Sequence, residues 1–156
     1  MVTIENLRSC EVFSGLTDEE LNQILPFCHE ERYEQDTIMF REGDMALTFY
    51  ILRSGEISIQ YVICPQPDYC QDARILLDEP GDFMGWSSLV KPSRLTASGY
   101  CVSDVDLVAI DSTKLNELME RDSHIGFVIV KELAGSINKR LKEAKGLTFQ
   151  RTMGSL

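Results

Sequence analysis

What this chain of 156 residues lacks narrows it first. It has no run of about 18 apolar residues, so no segment of it reads as a membrane-crossing helix. Its opening, MVTIENLRSC, has neither the basic start nor the apolar stretch of a secretory signal, and the chain reads as cytoplasmic. Bases are scarce: 15 Lys and Arg stand against 25 Asp and Glu, for a formal net charge of −10. A duplex-DNA binder gains affinity by displacing counterions with a basic face, so this balance argues against nucleic acid as a partner, while leaving room for one local basic pocket. The five cysteines (Cys10, Cys28, Cys64, Cys70 and Cys101) are odd in number and form no C-x-x-C. Neither a disulfide framework nor a zinc ribbon is signalled. Cys64 and Cys70 bracket PQPDY in an apparent loop; the preferred reading is reduced thiols throughout, with redox or metal chemistry at that pair as the alternative. No Ser–His–Asp arrangement, carboxylate pair or metal-ligand spacing stands out, and His29 and His124 are isolated. Catalytic residues and metal ligands are therefore both read as none, and the chain as no enzyme. With no internal repeat, low-complexity segment or linker, residues 1–156 form one domain.

What is present is ordered as helix, strands, helix. Thr17-Asp18-Glu19-Glu20 has the form of a capping box, followed by Leu21, Ile24 and Leu25 at helical spacing. The acids of that first turn complement the helix dipole. From Arg32 the period shortens to two. Strands are expected over Thr37–Arg41, Phe49–Arg53, Glu56–Ile63, Arg74–Leu77, Thr96–Val102 and Asp106–Ile110, separated by turn-forming clusters at Glu42–Asp44, Ser54-Gly55, Pro65–Asp68 and Glu79–Asp82. Short strands at this spacing specify an antiparallel sandwich or barrel. Asp111 or Ser112 can cap a helix over Lys114–Glu120, and a longer one is expected from about Ser123 to Lys145. Within it Phe127, Val130, Ala134, Ile137, Leu141 and Ala144 follow alternating three- and four-residue steps, an a/d seam that either packs on its own domain or pairs with a second copy. Gly135 beside the seam would allow close approach, and Arg140 must reach solvent. The tail from Gly146 to Leu156, rich in Gly, Thr and Ser, is expected to fray.

The most specific stretch is GDFMGWSSLVKPSRLTAS, Gly81 to Ser98. It places the only Trp beside Gly85, Ser87 and Ser88, a few residues before an isolated Arg94. Gly85 permits close backbone approach to a ligand, and one turn over Trp86–Val90 would offer N–H groups to an anion. Ser87, Ser88, Thr96 and Ser98 can add hydroxyl donors, and Arg94 a charge-assisted contact to a phosphate. The blander readings are Trp86 as a core aromatic and Arg94 as a surface cation or partner of an acid such as Asp82.

These features, in this order, resemble the cyclic-nucleotide-binding domain, the sensor module of catabolite-activator transcription factors, protein kinase A regulatory subunits and cyclic-nucleotide-gated channels. The motifs are Val12-Phe13-Ser14-Gly15-Leu16-Thr17, Phe40-Arg41-Glu42-Gly43-Asp44, Phe49-Tyr50 with Gly55-Glu56-Ile57, and Gly81-Asp82-Phe83-Met84-Gly85. The resemblance spans about residues 5–145. It implies a mainly β fold, an antiparallel β-roll of jelly-roll type with N-terminal helices and a long C-terminal helix, and Gly43, Gly55 and Gly81 at turns of positive φ. It implies a ligand site at Gly85, Trp86, Ser87, Ser88, Arg94, Thr96 and Ser98. The chain departs from the family pattern at Trp86, where the family's Glu accepts a hydrogen bond from the ribose 2′-hydroxyl; an indole can donate but not accept. Ala97-Ser98 also comes one residue late after Arg94. The G-W-S start resembles a bacterial branch of the family. Losing the Glu contact, worth roughly 1.5–3 kcal/mol, would weaken cAMP or cGMP binding by about 10- to 200-fold. The function implied is a small-molecule sensor signalling through its C-terminal helix to an unidentified downstream protein, with a homodimer through that helix. The alternatives are a degenerate module serving dimerisation or docking, and the sensor half of a longer transcription regulator, whose DNA-binding domain these residues do not include.

Overall fold

The computed structural model describes the backbone of residues 1–154 and the side-chain surroundings of residues 1–143, 145 and 146. Helices α1 (Ile4–Arg8) and α2 (Asp18–Ile24) lead into eight strands: β1 Cys28–Tyr33, β2 Ile38–Phe40, β3 Thr48–Ser54, β4 Ile57–Gln66, β5 Tyr69–Leu77, β6 Phe83–Met84, β7 Ser98–Cys101 and β8 Val105–Asp111. Helices α3 (Ser112–Arg121) and α4 (Ser123–Gly154) close the chain. The strands form two four-stranded sheets, ordered β1-β8-β3-β6 and β2-β7-β4-β5, and every pairing is antiparallel. This is the expected β-roll.

Two cores share the strands between them. Along β3, Phe49 and Ile51 join a cluster with Phe13, Leu21, Leu115, Ile125 and Ile129, which are helical or near-helical residues. Leu52 instead joins Ile57, Ile59, Leu77 and Leu107 between the sheets. Strand β8 divides likewise, Val108 and Ile110 facing the helices, Val105 and Leu107 the roll. Its middle is therefore buried on both faces, which the period of two permits only when both faces are covered.

Local chemistry fixes the ends of the elements. Thr17 Oγ1 accepts from the Glu20 amide at 3.3 Å and Glu20 Oε2 accepts from the Thr17 amide at 3.1 Å, so the capping box is complete. Of the two candidates for the α3 cap, Asp111 fills the position, accepting from Thr113 and Lys114. Gly43, Gly55 and Gly81 all have positive φ, as their turns require. A Cβ at Gly55 would lie 2.3 Å from the Asp104 carbonyl oxygen, so the β3–β4 turn admits no side chain there.

Three expectations are corrected. Cys64 and Cys70 are not free thiols: they form a disulfide, with Cα atoms 4.1 Å apart. The β4–β5 hairpin lays them on facing strands, between the pairs Ile63↔Gln71 and Gln66↔Tyr69. The spacing of the two residues along the chain gives no sign of this. Arg140 does not reach freely into solvent but lies against Phe83 and Trp86. Helix α4 has helical backbone through Gly154, beyond the end expected near Lys145; Ser155 and Leu156 lie outside the described residues. The α4 seam divides. Phe127, Val130 and Leu141 are 64%, 47% and 52% exposed, and Ala134 is exposed as well. Ile137 packs partly on the core, while the side chain of Ala144 lies outside the described residues. The domain instead buries Ile125, Ile129, Leu133 and Ser136.

Candidate functional site

Strand β6 ends at Met84, and Gly85 follows in the left-handed region with φ 80°. A Cβ there would sit 2.5 Å from the Thr48 carbonyl oxygen, so only glycine lets the chain turn this close to β3. A 3₁₀ turn, Trp86–Leu89, comes next, with the Ser88 amide donating to the Gly85 carbonyl at 3.0 Å. The turn, with Leu95, Thr96, Ala97, Ile59 and Tyr61, lines a cavity of ≈ 20 Å³.

The sequence candidates divide around this cavity. Gly85, Trp86, Ser87 and Thr96 line it. Ser88 faces inward: its hydroxyl accepts from Ser112 Oγ at 2.6 Å, and its carbonyl accepts from Asn116 Nδ2 at 2.9 Å. Ser88 thereby ties the turn to α3. Ser98 Oγ accepts from the Glu42 amide at 3.0 Å. Arg94 is exposed, donates from Nη1 to the Gly43 carbonyl at 3.2 Å, and sits beside Met45 outside the cavity lining. Asp82, the acid weighed as its partner, instead accepts from the amides of Asp78 and Glu79.

A chain of aromatic rings leads to the cavity from the helical core. Phe13 meets Phe49 edge-on at 5.6 Å, Phe49 stacks on Phe83 at 5.3 Å, and Phe83 meets Trp86 edge-on at 6.4 Å. Arg140 of α4 closes this chain. Its guanidinium carbon lies 4.5 Å from the Phe83 ring centre and 4.7 Å from that of Trp86, and Nη2 donates to the Phe83 carbonyl. Trp86 is thus both a core aromatic and a wall of the cavity. Desolvation lowers the Arg140 pKa, and burial raises that of Tyr61 beside it. Among the described residues no carboxylate forms an ion pair with Arg140; Asp82 and Glu143 act on it only at longer range.

Arg140 is the cavity residue that the sequence reading misplaced. A signal for it exists: Ile129, Leu133, Ser136 and Arg140 follow steps of four, three and four, which continues the buried face of α4 rather than the exposed seam. Elsewhere among the described residues no group of three or more His, Cys, Asp or Glu is placed to hold a metal ion. His29 and His124 lie on the surface against Glu31 and Glu20. No helix of the described residues is long and apolar enough to cross a membrane.

Comparison with known proteins gives a consistent result. The family model described as the cyclic nucleotide-binding domain matches residues 30–122. The chain is 25% identical over 138 residues to the cyclic AMP receptor protein of Thermus thermophilus, covering 88% of this chain and 60% of that protein. It spans only 14% of a cGMP-dependent protein kinase of Plasmodium berghei. Among solved structures, a candidate cyclic nucleotide-binding protein of Geobacter metallireducens superposes with a TM-score of 0.75 at 28% identity, over 90% of this chain and 99% of that one. The regulatory domain of Toxoplasma gondii protein kinase A, solved with cAMP, gives a TM-score of 0.63 at 26% identity, over 73% of this chain and 42% of that one.

Proposed function

The chain belongs to the cyclic nucleotide-binding domain family, and we propose that it is a regulatory module that takes a small anionic ligand at the cavity beside Trp86 and reports occupancy through α4. The observation that carries this reading is that α4 itself forms part of the cavity wall, through Arg140 against Trp86. A ligand entering there must change how α4 rests on the roll. With about 20 Å³ the cavity holds roughly one water molecule, so a nucleotide enters only if α4 backs away. Trp86, in the place of a ribose-accepting Glu, makes cAMP and cGMP weak ligands, by about 10- to 200-fold relative to a site with that contact. Calorimetry with both nucleotides tests this. A dissociation constant near or below about a micromolar would refute the weak-binding expectation. No heat at any concentration of either would refute cyclic nucleotides as the ligand class.

The exposed face of α4 supports a second element of the same reading, a homodimer through this helix. Phe127, Val130, Ala134 and Leu141 form an uncovered stripe, and Gly135 has open space around it. The small Ala134 and one large apolar side chain per turn make a modest interface at roughly 25 cal/mol per Å². Association is accordingly weak or ligand-dependent. Sedimentation of wild type against Val130→Asp and Leu141→Asp decides: a wild type that stays monomeric with and without cyclic nucleotide removes the dimer.

A further inference from the structure

We infer that Arg140, carried by α4, is the residue that meets the ligand's negative charge in this site, so that the ligand is held between the roll and the helix. The inference rests on the reading above that the cavity is a ligand site.

Three observations carry it. Arg140 lies in the cavity wall, and it forms no ion pair among the described residues. Its guanidinium carbon lies over the Phe83 and Trp86 rings, Nη2 donates to the Phe83 carbonyl, and the Tyr61 hydroxyl lies beside it. A guanidinium has five N–H donors, so its edge retains donors that the protein does not use. A largely buried cation without a counterion is incomplete, and an anion beside it supplies what is missing. Second, Ser87 and Thr96 line the same cavity and bring two hydroxyl-bearing side chains to it. One cation and two hydroxyls over apolar walls suit a singly charged phosphodiester on an otherwise apolar body. Third, the other candidate cation, Arg94, lies outside the cavity lining and spends a donor on the Gly43 carbonyl.

The arrangement also accounts for Trp86. A Glu in its place would pair with Arg140 and neutralise it, whereas an indole face holds the guanidinium by cation–π attraction and leaves its charge available. It couples the site to α4 without an intermediary, because the ligand's anion and the exposed stripe with Val130 and Leu141 act on one helix.

The chain's sole Trp is a built-in probe. Trp86 emission is titrated with cAMP, cGMP and inorganic phosphate in wild type, Arg140→Ala, Arg140→Gln and Arg94→Ala, with a melting curve for each. Gln keeps most of the stem and removes the charge, so it carries the test if the Ala variant does not fold. Loss of Arg140 is expected to weaken whichever anion binds by about 10- to 200-fold, with a smaller loss at Arg94. Binding that is unchanged or tighter in the Arg140 variants makes this side chain a plug and overturns the inference, as does a larger loss at Arg94. If only phosphate gives a response and it depends on Arg140, the inference stands and the cyclic-nucleotide reading fails. A response to none of the three overturns the inference.

Discussion

Breaking the Cys64–Cys70 bond is the perturbation whose size the structure sets most directly. The bond closes a loop with a sequence separation of 6 at the tip of the β4–β5 hairpin. Chain-entropy bookkeeping for a loop of about seven residues gives close to 8 cal/mol/K, or about 2.4 kcal/mol at 25 °C. For a domain of this size that corresponds to a loss of about 5–10 °C in melting temperature. The estimate is an upper value, because the hairpin tip is the least anchored part of the sheet. Val62 and Tyr69 are 54% and 53% exposed, and the register shifts between Ile63 and Gln66. A tip that already opens in the native state returns part of the loop entropy. Both sulfurs belong to exposed residues, so a small thiol reductant reaches them without unfolding the domain. The other three cysteines are buried or half-buried, and burial pushes Cys10 and Cys28 up to about 12, which leaves them unreactive. Thiol titration in denaturant is therefore expected to find three groups before reduction and all five after it. Thermal melts of reduced protein and of the Cys64→Ser/Cys70→Ser double variant should agree with each other and fall below the oxidised protein. Five thiols in unreduced protein would refute the pairing. Three thiols with no difference in melting would refute the loop-entropy argument.

Three further outcomes follow from the site and its supports. Gly85→Ala combines a left-handed φ, roughly 1–2 kcal/mol for an L-residue, with a Cβ 2.5 Å from a backbone oxygen; chemical denaturation should show a loss above about 2 kcal/mol, and a near-neutral variant would mean that β6 shifts freely. Ser88→Ala strands the buried Ser112 hydroxyl and should cost about 1–3 kcal/mol, while Asn116→Ala, which removes the other tie to α3, should be less than additive with it in a double-mutant cycle. Hydrogen bonds from the N-terminal amine and then Arg53 lower Glu30 from 4.5 to about 2. The folded state therefore favours the ionised form, so this contribution is present above pH 4.5 and fades as pH falls toward 2. Glu30→Gln should flatten the pH dependence of the urea midpoint across that window, and an unaltered slope would contradict the pairing.

The sequence by itself determined the features that depend on near neighbours. The Thr17 capping box and the positive-φ glycines are each set within a few residues, by a cap or a turn, whereas the alternation expected in β4 fails at Ser58, which is buried along with Ile57 and Ile59. The single turn after Gly85 was legible in the same way, since a glycine that permits close backbone approach before a tight turn is a local feature. Strand β1 escaped the pattern because it is a sheet edge: Cys28–Tyr33 reads CHEERY, and an edge strand keeps its charges toward water. What only the tertiary structure decided is the destination of side chains whose partners lie far along the chain. Arg140 and its acceptor Phe83 are 57 residues apart, so whether that guanidinium meets water or an indole depends on which face of α4 settles on the roll. The periodicity of α4 contains two apolar stripes, and burial selects the one through Ile125, Ile129 and Leu133 because those residues meet the β3–β8 core. Ser88 turned inward when α3 brought Ser112 and Asn116 against it, and Arg94 turned outward onto Gly43. The disulfide formed because two strands folded back on each other. For Arg140, Ser88 and Arg94 the deciding term is a packing or hydrogen-bond partner supplied by a distant element, and no window along the chain contains it; the disulfide spans only 6 residues and depends on the register of the β4–β5 hairpin.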